Sequence, residues 1–181
     1  MNLTLPVAGI PVTLTRGWAA VRATVNGRSY RFVSTHLEPA NIPDLYPLQM
    51  AQAAELAEHY ASEPLPLILV GDLNTNADGT SSPTYRMLVN ARFVDSWAQA
   101  HPRDPGYSCC QASGLTNPVS ELVKRVDYVL VRDGFGNPAG RISGGVHVDI
   151  VGEDPADRTA SGLWPSDHAG FVARLTLASG R

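Results

Sequence analysis

The chain has almost no cysteine, no long apolar run and no surplus of positive charge, and each shortage excludes something. Its 181 residues hold two cysteines, Cys109 and Cys110, which are adjacent. Neighbours are poorly placed to cross-link, so there is neither a disulfide framework nor a zinc-ligand spacing. The pair reads as packing residues, with a strained redox pair as the alternative. No stretch approaches the roughly 20 apolar residues of a membrane-spanning helix. The start, Met1-Asn2-Leu3-Thr4-Leu5-Pro6, lacks the basic segment and cleavage site of a secretory signal. It reads as the interior of a longer protein. The expectation is a soluble chain whose compartment is open, secreted if a preceding segment carries a signal. The formal net charge of −3 sets up no field that would hold nucleic acid or an anionic membrane firmly. Stable nucleic-acid binding is therefore not expected, although brief contact by an enzyme stays open.

What is present is a folded composition, 44% apolar and 17% charged, over a length that suits one domain spanning residues 1–181. Fourteen prolines and sixteen glycines point to short elements and tight turns. Val12 to Val25 and Arg28 to His36 are strand-like, and Asn26-Gly27 between them is the preferred two-residue hairpin turn. In the second strand Tyr30, Phe32, Ser34 and His36 share one face, with Arg31, Val33 and Thr35 on the other. Residues 45–62 read as a helix with an apolar stripe of Met50, Ala53, Leu56, Ala57 and Tyr60. Gln49, Gln52, Glu55 and Glu58 form its polar side, and Pro64 and Pro66 end it. A strand from Pro66 to Val70 completes a β-α-β order. Further expectations are a short helix from Ser82 to Val89 capped by Ser81 or Ser82, with Pro83 at its first position. Arg125 to Val131, Val146 to Val151 and Ala169 to Leu177 read as strands, and 99–121 and 152–166 as loops.

Polar residues gather where these strands end. Asp72 and Asn74 follow the apolar run, two residues apart, so extended alternation would turn both into one cleft. Asp167 and His168 arrive just before the last strand, His36 ends another, and Asp127 lies within an apolar one, where a charge needs a partner. Taken singly, each has a structural reading. Asp72 and Asn74 suit a turn, His36 an ordinary strand end, Asp127 an ion pair with Arg125 or Lys124, and Ser166-Asp167 a strand start. Together they supply what hydrolysis of a phosphate ester needs. Carboxylates hold a hard cation such as Mg²⁺ or Mn²⁺, a neutral amide can grip phosphate, and histidines donate or move protons near neutral pH. An Asp127–His168 pair would fix the imidazole tautomer and favour its cation.

Four motifs carry a resemblance: Ser34-Thr35-His36-Leu37, Gly71-Asp72-Leu73-Asn74, Arg125-Val126-Asp127-Tyr128 and Ser166-Asp167-His168. In this order they resemble the endonuclease/exonuclease/phosphatase superfamily, and the stretch from Gly106 through Asn117-Pro118 is similar to a bacterial subgroup of it. The resemblance implies a deoxyribonuclease-like four-layered αββα sandwich and a metal-dependent phosphoric ester hydrolase. By motif match, Asp72 would orient or deprotonate the attacking water and Asn74 would hold the phosphate. His36 would contact a phosphate oxygen, and His168, paired with Asp127, would stabilise the pentacovalent transition state. Asp72 and Asp167 would help bind Mg²⁺ or Mn²⁺. The family's leading strands, which carry an Asn and the principal metal-binding Glu, have no counterpart, since no glutamate precedes Glu38. The expectation is an N-terminally truncated domain acting on a phosphodiester: nucleic acid, a lipid headgroup or a small diester. The alternatives are a phosphomonoesterase on a small phosphate, or an inactive remnant serving as a binding module. His59, His101 and His147 match no motif and read as surface or packing residues. Trp18, Trp97 and Trp164 read as core, with Trp164 close enough to Ser166 to wall the cleft.

Overall fold

A computed structural model describes residues 2–7, 10–134, 142 and 145–177. The fold is a mixed α/β arrangement in which the strands outnumber the helices. Strands β1 (Asn2–Val7) and β2 (Ile10–Thr15) pair as a hairpin of their own. β3 (Trp18–Val25) and β4 (Arg28–Thr35) form the expected antiparallel hairpin. At its turn Asn26 and Gly27 have φ of 50° and 76°, the left-handed values this turn type requires. The single strand expected from Val12 is instead broken at Arg16-Gly17. There Thr35 Oγ1 donates to the Gly17 carbonyl at 2.9 Å, and the chain passes from one sheet to another.

Helix α1 (Tyr46–His59) is the crossover that makes β5 (Leu67–Asp72) parallel to β4. β7 (Asp127–Arg132) pairs antiparallel with β5 and with the short β6 (Val94–Asp95), giving the order β3-β4-β5-β7-β6. Between β5 and β7 lie α2 (Thr84–Asn90) and α3 (Ser96–Ala100). β8 (Val146–Val151) and β9 (Gly170–Leu175) form a further antiparallel pair.

Alternation sorts the large sheet into two faces. Val33, Leu67, Leu69 and Leu130 pack under Ala53, Leu56 and Tyr60 of α1 and Leu88 of α2. Phe32, Ile68, Val70 and Val129 point the other way. With Phe171, Ala173 and Leu175 of β9 they line a cavity of about 460 Å³ between the two sheets. Helices, large sheet and β8–β9 are thus stacked in that order.

Helix α1 corrects the polar-face expectation, because Gln49 and Gln52 are buried while Met50 is only partly so. Gln49 Nε2 donates to the Leu73 carbonyl at 3.0 Å and its Oε1 accepts from Thr84 Oγ1 at 2.7 Å. Gln52 Oε1 accepts from Glu38 N–H at 2.9 Å. Both amides clamp the loops that leave β4 and β5, where strand and helix hydrogen bonding has ended. The expected Ser81 or Ser82 cap of α2 does not form. Pro83 occupies the cap, Ser81 Oγ accepts from Asn76 N–H, and Ser82 Oγ donates to Thr75. β6 and α3 were not legible in the sequence.

Gly71 sits where those loops diverge, with φ of +133°, and a Cβ there would stand 1.9 Å from the Thr35 carbonyl oxygen. Gly71→Ala is expected to destabilise the protein by about 3 kcal/mol through overpacking and strain. Urea unfolding measures it, and a change below about 1 kcal/mol would contradict this account of the strand junction.

Candidate active site

The end of the large sheet brings the sequence-predicted residues together, with one exception. The β5–β7 register sets Asp72 directly opposite Asp127, and like charges in that position repel. His168, just before β9, answers the second: its Nδ1 lies 2.8 Å from Asp127 Oδ2. Nδ1–H donating to the carboxylate turns Nε2 into the cleft, 4.0 Å from Cys110 Sγ. Ligand atoms of Asp72, Asp127 and His168 all lie within 4.8 Å of one another. The pairing of Asp127 with Arg125 or Lys124 is overturned, since Arg125 is engaged by Asp95.

Asp72 and Asn74 do converge, but not by strand alternation. β5 stops at Asp72, and Asn74 takes a left-handed φ of 49°, which Asn tolerates better than most residues. Asp72 Oδ1 accepts from Asn74 N–H at 2.8 Å, an Asx-turn. Asp72 Oδ2 faces His36 Nε2 at 3.3 Å. Asn74 Nδ2 donates to the Leu37 carbonyl at 3.0 Å and lies 3.1 Å from His36 Nε2. Turn chemistry and site assembly are therefore the same contacts.

His36 is oriented by residues the sequence reading did not single out. Arg16 Nε donates to the buried Glu38 carboxylate at 2.7 Å, and Arg16 NH1 lies 3.3 Å from His36 Nδ1. A guanidinium only donates, so Arg16 NH1 approaches His36 Nδ1 as a donor, while Nε2 lies between Asn74 Nδ2 and Asp72 Oδ2. The only sequence signal was an acid two residues beyond His36. Asp167 stands apart: exposed, and outside the cluster of ligand atoms, with Oδ1 accepting from Ser166 Oγ at 3.4 Å.

The electrostatics follow from these contacts. The hydrogen bond to Asp127, reinforced by the charges of Asp127, Asp72 and Asp167, raises His168 above its ordinary pKa despite partial burial. Burial, with the Asp127 charge beside it, also raises Asp72, against its hydrogen bond from Asn74 and the nearby histidines. Two carboxylates held face to face, with His168 beside them, form an oxygen-rich set that fits a hard divalent cation.

Cys109 and Cys110 lie beside this site, and Cys109 is buried. The backbone of Cys109 bridges to both Lys124 and His168. Trp97 and Trp164 are buried and Trp18 packs against the core, as expected. Trp164 does not wall the cleft, because it is 1% exposed and its indole N–H donates to the Asn117 carbonyl at 2.8 Å. His59 packs on Trp18, His101 on Trp97, and His147 is exposed.

No curated protein matches the chain. Solved structures share its fold. D. rerio TDP2 complexed with single strand DNA product is 17% identical with a TM-score of 0.60, over 86% of this chain and 60% of that one. An endonuclease/exonuclease/phosphatase from Beutenbergia cavernae is 22% identical with a TM-score of 0.57, over 97% and 44%. A mannosyl-6-phosphatase of Bacteroides thetaiotaomicron is 18% identical with a TM-score of 0.54, over 93% and 58%. The chain thus spans 44–60% of the length of these structures. The sequence model described as Endonuclease/Exonuclease/phosphatase family matches residues 5–168, and the chain belongs to that family.

Proposed function

We propose that residues 1–181 act as one domain, a divalent-metal-dependent phosphoesterase that hydrolyses a phosphodiester by in-line attack of water. The observation that carries this reading is the pair of opposed carboxylates, Asp72 and Asp127, with His168 held 2.8 Å from the second. The donors suit Mg²⁺ or Mn²⁺, with Asp72 as a ligand and Asp167 at the rim. Such an ion, when bound, neutralises phosphate charge and makes a coordinated water more acidic.

The chain's own groups do the rest. Asp72 orients the attacking water and takes its proton. Asn74 holds a phosphate oxygen through its side-chain amide, adding no negative charge. His36 contacts another oxygen. His168 donates from Nε2 to the oxygens on which charge builds up at the transition state, while Asp127 holds its tautomer and favours its cation. Small diesters, nucleic acid and lipid headgroups share this chemistry. No helix among the described residues is long and apolar enough to cross a membrane.

The test is turnover of a chromogenic phosphodiester with Mg²⁺ or Mn²⁺, on protein shown folded by circular dichroism. EDTA and Asp72→Ala should each abolish it, and the metal should raise the melting temperature of the wild type. A folded chain with neither turnover nor metal-linked stabilisation would instead be a binding remnant. Preference for a monoester would make it a phosphomonoesterase.

A further inference from the structure

Beside His168 a second cavity of about 360 Å³ opens, within the usual size range of small-molecule sites. Besides Asn74 and His168 its wall carries Asn41, Asn76, Thr80, Ser81 and Lys124. Among the described lining residues there is no Phe, Tyr or Trp and no carboxylate, and Val126 and the two cysteines supply apolar surface beside the polar groups.

The loop from Asn74 to Ser81 holds this wall in shape. Asn76 N–H donates to Ser81 Oγ at 2.7 Å, and Asn76 Nδ2 donates to Thr80 Oγ1 at 2.9 Å. Thr80 passes its hydroxyl proton to Asp78 Oδ1 at 2.7 Å. Donor and acceptor capacity then remains. Asn76 keeps its amide oxygen and a second N–H, Ser81 keeps its hydroxyl proton, and Lys124 offers an ammonium. Asn41 is exposed at the rim. Amides that both give and accept match hydroxyl groups, which do the same. A nucleobase would find no ring to stack on.

We propose that this cavity is the subsite for the organic group of the substrate, and that the group is small and hydroxyl-rich: a sugar or polyol esterified to phosphate, not a nucleoside. The proposal rests on the phosphoesterase reading above. His168 supplies the junction, since it lines the cavity while its Nδ1 is fixed by Asp127. A phosphate at His168 would thus lead its ester group towards Asn76 and Asn41, with Lys124 over the shared edge.

The experiment uses p-nitrophenyl phosphodiesters whose second ester group is methyl, glycerol, glucose through its 6-oxygen, or thymidine through its 5′-oxygen. The glycerol and glucose diesters should exceed the methyl diester in kcat/KM by about tenfold or more, with thymidine no better than methyl. Asn76→Ala and Asn41→Ala should shrink the glucose-to-methyl ratio. A thymidine diester that is preferred, or a ratio that neither variant changes, overturns the subsite. Should no diester be turned over, the phosphodiesterase reading fails on its own. Calorimetry of glucose 6-phosphate, thymidine 5′-phosphate and inorganic phosphate then decides the subsite. Tighter binding of the sugar phosphate, weakened in Asn76→Ala, supports it; equal binding of all three overturns it.

Discussion

His168→Ala is expected to lower kcat by about a thousandfold, the combined scale of a lost proton donor and a lost transition-state hydrogen bond. Asp127→Asn is the more informative variant. Asparagine can still accept from Nδ1–H, so the imidazole keeps its place but loses the carboxylate that raises its pKa. In the wild type His168 is therefore cationic to higher pH than an ordinary histidine. In the variant it loses its proton at lower pH, so the deficit should be about a hundredfold near pH 8 and shrink towards pH 6. The same pair stabilises the fold, and its sign is fixed. A histidine whose folded pKa is raised contributes fully below its unfolded value of about 6.5 and loses that contribution as pH climbs through the folded value. NMR titration of the metal-free protein should show His168 above the ordinary value in the wild type and near it in Asp127→Asn. A deficit independent of pH would reduce Asp127 to a packing role.

Much of the arrangement around these residues was legible because it obeys local rules. Asn26-Gly27 made the β3–β4 turn, the apolar run before Asp72 became β5, and the apolar stripe of α1 placed the crossover. The acid–histidine pair of Asp127 and His168 was readable because an acid in an apolar strand demands a partner. The failures have a common physical cause. Gln49 and Gln52 look like a solvent face, yet they are buried to satisfy loop carbonyls and amides that only the tertiary fold brings near. Asn74 reaches Asp72 through a left-handed turn that strand periodicity cannot express. Arg16 acts on His36 from another strand junction, and α3 is too short to show a period. The contacts of Gln49, Gln52 and Arg16 are long-range hydrogen-bond solutions, invisible to a pattern measured over neighbours.

The largest such solution supports the site from below and carries the largest expected cost in stability. Arg125 and Asp95, 6% and 3% exposed, pair at 2.5 Å. Arg125 Nε also donates to the Pro105 carbonyl at 2.9 Å, and its guanidinium lies over the Tyr128 ring. Asp95 Oδ2 accepts from Tyr85 OH at 2.9 Å, while its Oδ1 caps α3 through the N–H groups of Trp97 and Ala98. Burial, with the Asp95 charge beside it, pushes the Tyr85 hydroxyl up to about 12, so it remains a donor. Asp95→Ala strands a buried guanidinium and uncaps a helix at once. The first costs about 3–5 kcal/mol and the second about 1 kcal/mol, much of a typical net stability of about 5–15 kcal/mol. Asp95→Asn keeps a capping oxygen and should lose less. Replacing both partners, Asp95→Leu with Arg125→Met, should recover much of the loss, because no charge is then left buried alone. Arg125 lies two residues before Asp127, so the single variant should also loosen the carboxylate that holds His168. Urea denaturation of the three variants tests the order, and a double variant no more stable than Asp95→Ala would show that packing, not the stranded charge, sets the cost.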